Sequence, residues 1–121
     1  MTTGFAMGLD TVELARFERL LARTPEFADR YFTAVERERC ESARSSTRDY
    51  ATTFAVKEAL LKALGVGVLD VIALEQIEVA CDRGTATLKL SGAAANAVGS
   101  RRAWVSTACD GRQAWALVVL S

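Results

Sequence analysis

One stretch constrains this chain more than any other: Ser46 to Gly65, STRDYATTFAVKEALLKALG. Tyr50, Phe54, Leu61 and Leu64 recur at helical spacing, with Ala51, Ala55, Ala59 and Ala63 between them. That pattern predicts a single helix of about five turns. Ser45, Ser46 and Thr47 offer N-cap hydroxyls, and Gly65 suits a C-cap. Lys57, Glu58 and Lys62 interrupt the apolar part. Glu58 stands one turn after Phe54 and one turn before Lys62, so these three project from one face. A carboxylate beside an apolar stripe costs free energy unless a cation, a metal or a donor meets it. Periodicity leaves two readings open. One is an i,i+4 Glu–Lys pair on a solvated edge, which is common and cheap. The other is a charged site held by the helix.

The rest of the chain supplies a frame for that helix. Gly4 to Leu9 reads as an apolar strand that stops at Asp10, where Asp10 also suits the N-cap of the next helix. Thr11 to Arg23 follows with an apolar stripe of Val12, Leu14, Phe17, Leu20 and Leu21. Arg16, Arg19 and Arg23 lie together on another side. They are either a solvated face or a docking surface for an acidic partner, since arginine grips carboxylates in a bidentate fork. Thr24-Pro25 opens a short turn or helix to Phe32, and Thr33 to Ala43 is a charged helix. Thr33 and Glu36 are spaced as a capping box, which accounts for Glu36 structurally. Arg44 to Arg48 is a polar, basic link into the long helix.

After Gly65 comes a flexible apolar connection containing Gly67. Gln76 to Cys81 and Thr85 to Leu90 read as a hairpin about Asp82-Arg83-Gly84. Gly92 to Val98 is a small helix closed by Gly99. Ala103 to Cys109 and Gln113 to Leu120 form a second hairpin around Asp110-Gly111. Helices first and hairpins second predict one α+β domain, with an antiparallel sheet packed against the long central helix.

Composition narrows the chemistry. The chain of 121 residues has no histidine, which excludes a serine or cysteine nucleophile served by histidine and any histidine-bound metal. Acid–base work falls to carboxylates, lysines or water. Lysine plus arginine equals aspartate plus glutamate at 15 each, so there is no global pull towards nucleic acid or membrane. Cys40, Cys81 and Cys109 form no CxxC pair, and the short start to Leu9 lacks the basic residues of a signal peptide. Both features predict free thiols in a reducing cytoplasm.

The motifs carry a resemblance. FAVKEALLKALG, from Phe54 to Gly65, is similar to the FAxKEAxxKAxG signature of 4′-phosphopantetheinyl transferases of the holo-acyl-carrier-protein synthase type. MGLDTVELARF, from Met7 to Phe17, resembles that family's GxDxxExxR pattern. Tyr31-Phe32-Thr33 and the acidic residues after it resemble the family's FTxxE stretch. With the terminal VSTACDGRQAWALVVLS, the resemblance spans nearly the whole chain in order.

The resemblance implies transfer of the phosphopantetheine arm of coenzyme A to a serine of an apo acyl carrier protein, with release of 3′,5′-ADP. It implies Mg²⁺ held by Asp10 and Glu58, because Mg²⁺ takes one or two carboxylates together with substrate phosphates and water. Asp10, Glu58 and Lys62 are then the catalytic set, with Lys62 neutralising the pyrophosphate and Glu58, directly or through a metal-bound water, accepting the serine proton. Arg44, Arg48, Phe54, Gly65 and Lys62 are expected to meet coenzyme A. Arg16, Arg19 and Arg23 are expected to meet the carrier protein. The resemblance further implies a homotrimer with sites between subunits. The sequence departs from the family pattern at Thr53, where arginine is common, and at Ala108-Cys109, where Ser-His is common. The Gly-Lys-Pro that often follows the first hairpin turn is replaced by Arg83-Gly84-Thr85. These departures keep a second reading alongside the first, a non-catalytic relative that binds carrier protein or coenzyme A.

Overall fold

The computed structural model describes residues 4–65, 72–82 and 85–121. Strand β1 (Ala6–Glu13) leads into α1 (Leu14–Arg23), α2 (Glu26–Tyr31), α3 (Ala34–Glu41) and the long α4 (Ser46–Leu64). A 3₁₀ turn (Leu74–Gln76) opens the second half. It contains β2 (Ile77–Asp82), β3 (Thr85–Leu90), α5 (Gly92–Val98), β4 (Ala103–Cys109) and β5 (Gln113–Leu120). The strands form an antiparallel sheet in the order β1-β5-β4 and a separate β2-β3 hairpin. The fold is the expected α+β arrangement, with α4 lying across the three-stranded sheet.

Small residues set the closeness of that packing. Ala55 and Ala59 of α4 are fully buried, and Ala63 nearly so. Gly8 of β1 meets this alanine ridge. A Cβ added at Gly8 would lie 1.8 Å from the Ala59 carbonyl oxygen, so only glycine admits the helix at this distance. From the sheet, Ala116, Val118 and Leu120 of β5 complete the core, with Ile77 and Val79 of β2 beside them. A second cluster, Phe17, Phe32, Tyr50, Ala51 and Cys40, seats α1, α2 and α3 against the first half of α4. Burial there pushes the Cys40 thiol up to about 11.

The hairpin of β4 and β5 follows its local chemistry. Gly111 adopts φ 89°, and Asp110 Oδ1 accepts the backbone N–H groups of Arg112 at 2.9 Å and Gln113 at 2.8 Å. At the start of α3 the capping box forms as expected: Glu36 N–H donates to Thr33 Oγ1, and Thr33 N–H donates to Glu36 Oε1.

One expectation is corrected. β1 does not end at Asp10, and Asp10 does not cap α1. The strand runs on to Glu13, pairing Asp10 with Ala116, Thr11 with Trp115 and Val12 with Ala114. The β5 ladder satisfies the backbone of Thr11 and Val12, two β-branched residues, better than a first helical turn does. Asp10 is therefore an inward-facing strand residue. The apolar connection over 66–71 and the Arg83-Gly84 turn lie outside the described residues.

Candidate active site

The inward face of β1 presents Asp10 towards α4. Lys62, on the last turn of that helix, donates to Asp10 Oδ1 at 2.8 Å and to the Leu9 carbonyl at 3.1 Å. The Asp10 side chain is 15% exposed and the Lys62 side chain 54%, so the pair sits at the mouth of a cleft. Glu58 stands one turn back along α4, half-buried. Burial raises the Glu58 carboxyl above the usual carboxylate range, and the Asp10 charge raises it further, while Lys62 opposes both. The solvated i,i+4 Glu58–Lys62 pair is not what forms. Among the described residues, Lys62 bonds to the strand instead.

A groove of about 530 Å³ brings Asp10, Phe54 and Glu58 together with Arg16, Arg19 and Arg23 of α1. The expected docking arginines and the expected catalytic carboxylates thus share one surface. Phe54 forms a wall of this groove and packs on Phe17 and Phe27, with ring centroids 5.4 and 5.5 Å away. Gly65 ends α4 with φ 99°, a conformation that L side chains rarely adopt.

The basic link before α4 is divided. Arg48 reaches β4, donating to the Cys109 carbonyl at 3.4 Å, and lines a groove of about 300 Å³ with Arg39, Thr52, Thr53 and Cys109. Arg44 is exposed and is not among the residues of either groove. In this second groove the guanidinium of Arg39 lies against Thr53, donating to its Oγ1 at 2.6 Å and also to the Val79 carbonyl. Sequence reading did not single out Arg39, because α3 carried only a pattern of alternating charge.

Lys57 and Glu36 were also undervalued. Both are fully buried and form an ion pair at 2.7 Å. Glu36 looked complete as a capping residue, yet it also accepts the Val79 N–H at 2.7 Å. The available signal was a lysine one residue before Glu58, on the side of α4 that faces the alanine-rich core.

Comparison with known proteins now bears on this geometry. The profile of the 4′-phosphopantetheinyl transferase superfamily matches residues 6–116. The chain belongs to that superfamily. It is 40% identical to the holo-[acyl-carrier-protein] synthase of Geobacter sulfurreducens over 96% of each chain. It is 44% identical to that of an Anaeromyxobacter species over 94% of this chain and 92% of the relative. Among solved structures it resembles the Chronobacterium ammoniagenes ACPS–CoA complex with a TM-score of 0.84. That match has 28% identity and covers 98% of this chain and 97% of the other. The Helicobacter pylori holo-[acyl-carrier-protein] synthase in complex with coenzyme A gives a TM-score of 0.81 at 27% identity, covering 95% and 99%. The two segments that carried the resemblance, Met7 to Phe17 and Phe54 to Gly65, are joined by the Lys62–Asp10 contact.

Proposed function

We infer that this chain transfers the 4′-phosphopantetheine arm of coenzyme A to a serine of an apo acyl carrier protein, giving the holo carrier protein and 3′,5′-ADP. The observation that carries this is that Asp10 and Glu58 line one groove, with Lys62 bonded to Asp10, in a chain of this family. The serine oxygen attacks the phosphorus that bears the arm. A new P–O bond forms, the bridging P–O bond breaks, and 3′,5′-ADP leaves with the electron pair. Glu58 accepts the serine proton; its raised carboxyl makes it a better base than an ordinary glutamate. Lys62 faces the pyrophosphate and offsets its charge. No nucleophile of this chain is needed, consistent with the absence of histidine.

Mg²⁺ fits the residues present. Asp10 and Glu58 line one groove, with Lys62 paired to Asp10, and two hard carboxylate donors of this kind suit a magnesium ion. Asp10 and Glu58 would hold it. When bound, the ion supplies charge stabilisation at the pyrophosphate.

Arg16, Arg19 and Arg23 dock the acidic carrier protein along α1, next to the carboxylates. Phe54, Gly65, Lys62, Arg44 and Arg48 meet coenzyme A in this reading, the two arginines of the link serving its nucleotide phosphates.

The outward face of the sheet supports a homotrimer. Met7, Val119 and Trp104 lie in one row across the strands. Met7, Leu9, Trp104 and Trp115 are all exposed there, with Met7 at 62% and Trp104 at 53%, and Phe5 is exposed just before β1. An apolar face of this kind marks an interface. The free thiols among the described residues agree with a reducing cytoplasm. No helix among the described residues is long and apolar enough to cross a membrane.

The decisive test is mass spectrometry of an apo carrier protein incubated with this protein, coenzyme A and Mg²⁺. The carrier should gain the mass of one phosphopantetheine. An unmodified carrier that nevertheless binds would favour the non-catalytic reading.

A further inference from the structure

Lys57 is used by no step of the proposed reaction, yet it is a fully buried lysine on α4. Its ammonium group is wholly enclosed. It pairs with Glu36 at 2.7 Å, donates to the Tyr31 carbonyl at 2.9 Å and donates to the Leu74 carbonyl at 2.8 Å. Glu36 is fixed in turn by the N–H groups of Thr33 and Val79. Every donor and acceptor in this cluster is therefore directed at a different piece of chain: the end of α2, the start of α3, the 3₁₀ turn and β2. A buried ion pair is a poor way to gain stability, since apolar residues of similar volume often serve as well or better. Something other than stability is a reason for it to stand here.

The location supplies that reason. A groove of about 380 Å³ is also lined by Glu58, with walls different from those of the groove that holds Arg16, Arg19 and Arg23. Its walls are Arg30 and Tyr31 at the end of α2 and Ile72 to Glu75 around the 3₁₀ turn, with Glu58 and Leu61 between them. The two carbonyls that Lys57 holds, those of Tyr31 and Leu74, belong one to each wall. We propose that Lys57, with Glu36 as its counter-ion, is a positioning residue that ties the two walls to α4 and so sets the surroundings of Glu58 during transfer. Lys57 touches neither substrate. It acts by keeping the α2 end and the 3₁₀ turn at a fixed distance from the carboxylate next to it in sequence. The inference rests on Glu58 being the proton acceptor.

The test separates positioning from stability. In the double variant Lys57→Met/Glu36→Gln the charges go together and the volume is nearly kept, so the fold should persist. Its melting temperature should stay within a few degrees of wild type. Its kcat per folded molecule should fall at least tenfold, with KM for coenzyme A and for carrier protein changed less than threefold. Leu120→Ala, a cavity at the far end of β5 from Asp10, is the control: it should melt earlier and keep its kcat. If the double variant is unfolded at the assay temperature, Glu36→Gln alone is measured in the cold, with the same expectation for kcat. A wild-type kcat per folded molecule would overturn the proposal, as would a loss confined to KM for the carrier. Failure of the underlying reading looks different, because there Glu58→Gln itself would be fully active.

Discussion

Lys62 Nζ lies 2.8 Å from Asp10 Oδ1 and closes a contact across 52 positions of sequence. The pair joins the only inward-facing carboxylate of β1 to the last turn of α4, and Glu58 sits one turn away. Because Lys62 is more than half exposed, its stabilising effect is small, in the range of about 0–1 kcal/mol found for solvated pairs. Lys62→Ala should therefore leave the urea midpoint almost unchanged while lowering kcat by about 10²-fold, the order seen when one charge-stabilising donor is removed. A variant that unfolds early but turns over normally would assign Lys62 to the fold instead.

Glu58→Gln separates catalysis from stability at one residue. Removing the proton acceptor should cut kcat by about 10²- to 10⁴-fold. The stability effect has the opposite sign. In the folded protein the Glu58 carboxyl lies above its unfolded value, chiefly through burial and next through Asp10. Between those two values the native state keeps a proton that the unfolded chain has lost, so stability falls as pH rises through that window. Above the folded value the penalty is present in full. Glu58→Gln should accordingly melt higher than wild type at pH 7 without added divalent cation. The gap should close at acid pH, below the unfolded glutamate value of about 4.3.

Gly8→Ala tests the strand–helix contact. The added methyl would meet the Ala59 carbonyl at 1.8 Å, and backbone on both sides leaves no flexible partner to move aside. Overpacking of this kind costs about 1–3 kcal/mol and at times more. Equilibrium urea denaturation should show a loss at or above the upper end. The small Gly8 and the Ala59 ridge would be poor neighbours if stability did not change.

Arg16→Glu tests the docking face of α1. KM for the carrier protein should rise about tenfold or more, while KM for coenzyme A stays near wild type. Added salt should weaken carrier binding by wild type more than by the variant, because screening acts on the charges that the substitution removes. An unaltered carrier KM would return the arginines to the status of a solvated face.

Met7→Lys places a charge at the β1 end of the apolar row that Met7 forms with Val119 and Trp104. Desolvating that charge in an interface should break the assembly. Sedimentation velocity should show wild type as a trimer and the variant as smaller species. Identical sedimentation of the two proteins would remove this face from the interface.

Much of the architecture could be read from residues that act on their nearest neighbours in the chain. The bounds of β4 and β5 follow from alternation around Asp110-Gly111, and those of α4 from its periodicity and the Gly65 terminus. The Thr33–Glu36 capping box formed as its spacing predicts. The family signature also marked Asp10, Glu58 and Lys62; the fold sets the first two in one groove and bonds the third to Asp10. In each case the interaction spans a few residues, so local spacing contains the information.

What spacing could not contain was pairing between distant segments. β1 outran Asp10 because its neighbour β5, about a hundred positions later, offered hydrogen bonds to Thr11, Val12 and Glu13 that a helix start would have left open. Lys62 took Asp10 as its partner in place of Glu58, which sits nearer in sequence. Spacing explained Glu36 as a capping residue and left Lys57 as a charge interrupting an apolar helix; packing enclosed both and left each as the other's counter-ion. The hydrophobic effect chooses which faces are buried. Once water is excluded, every enclosed polar group must find whatever partner the topology brings within reach.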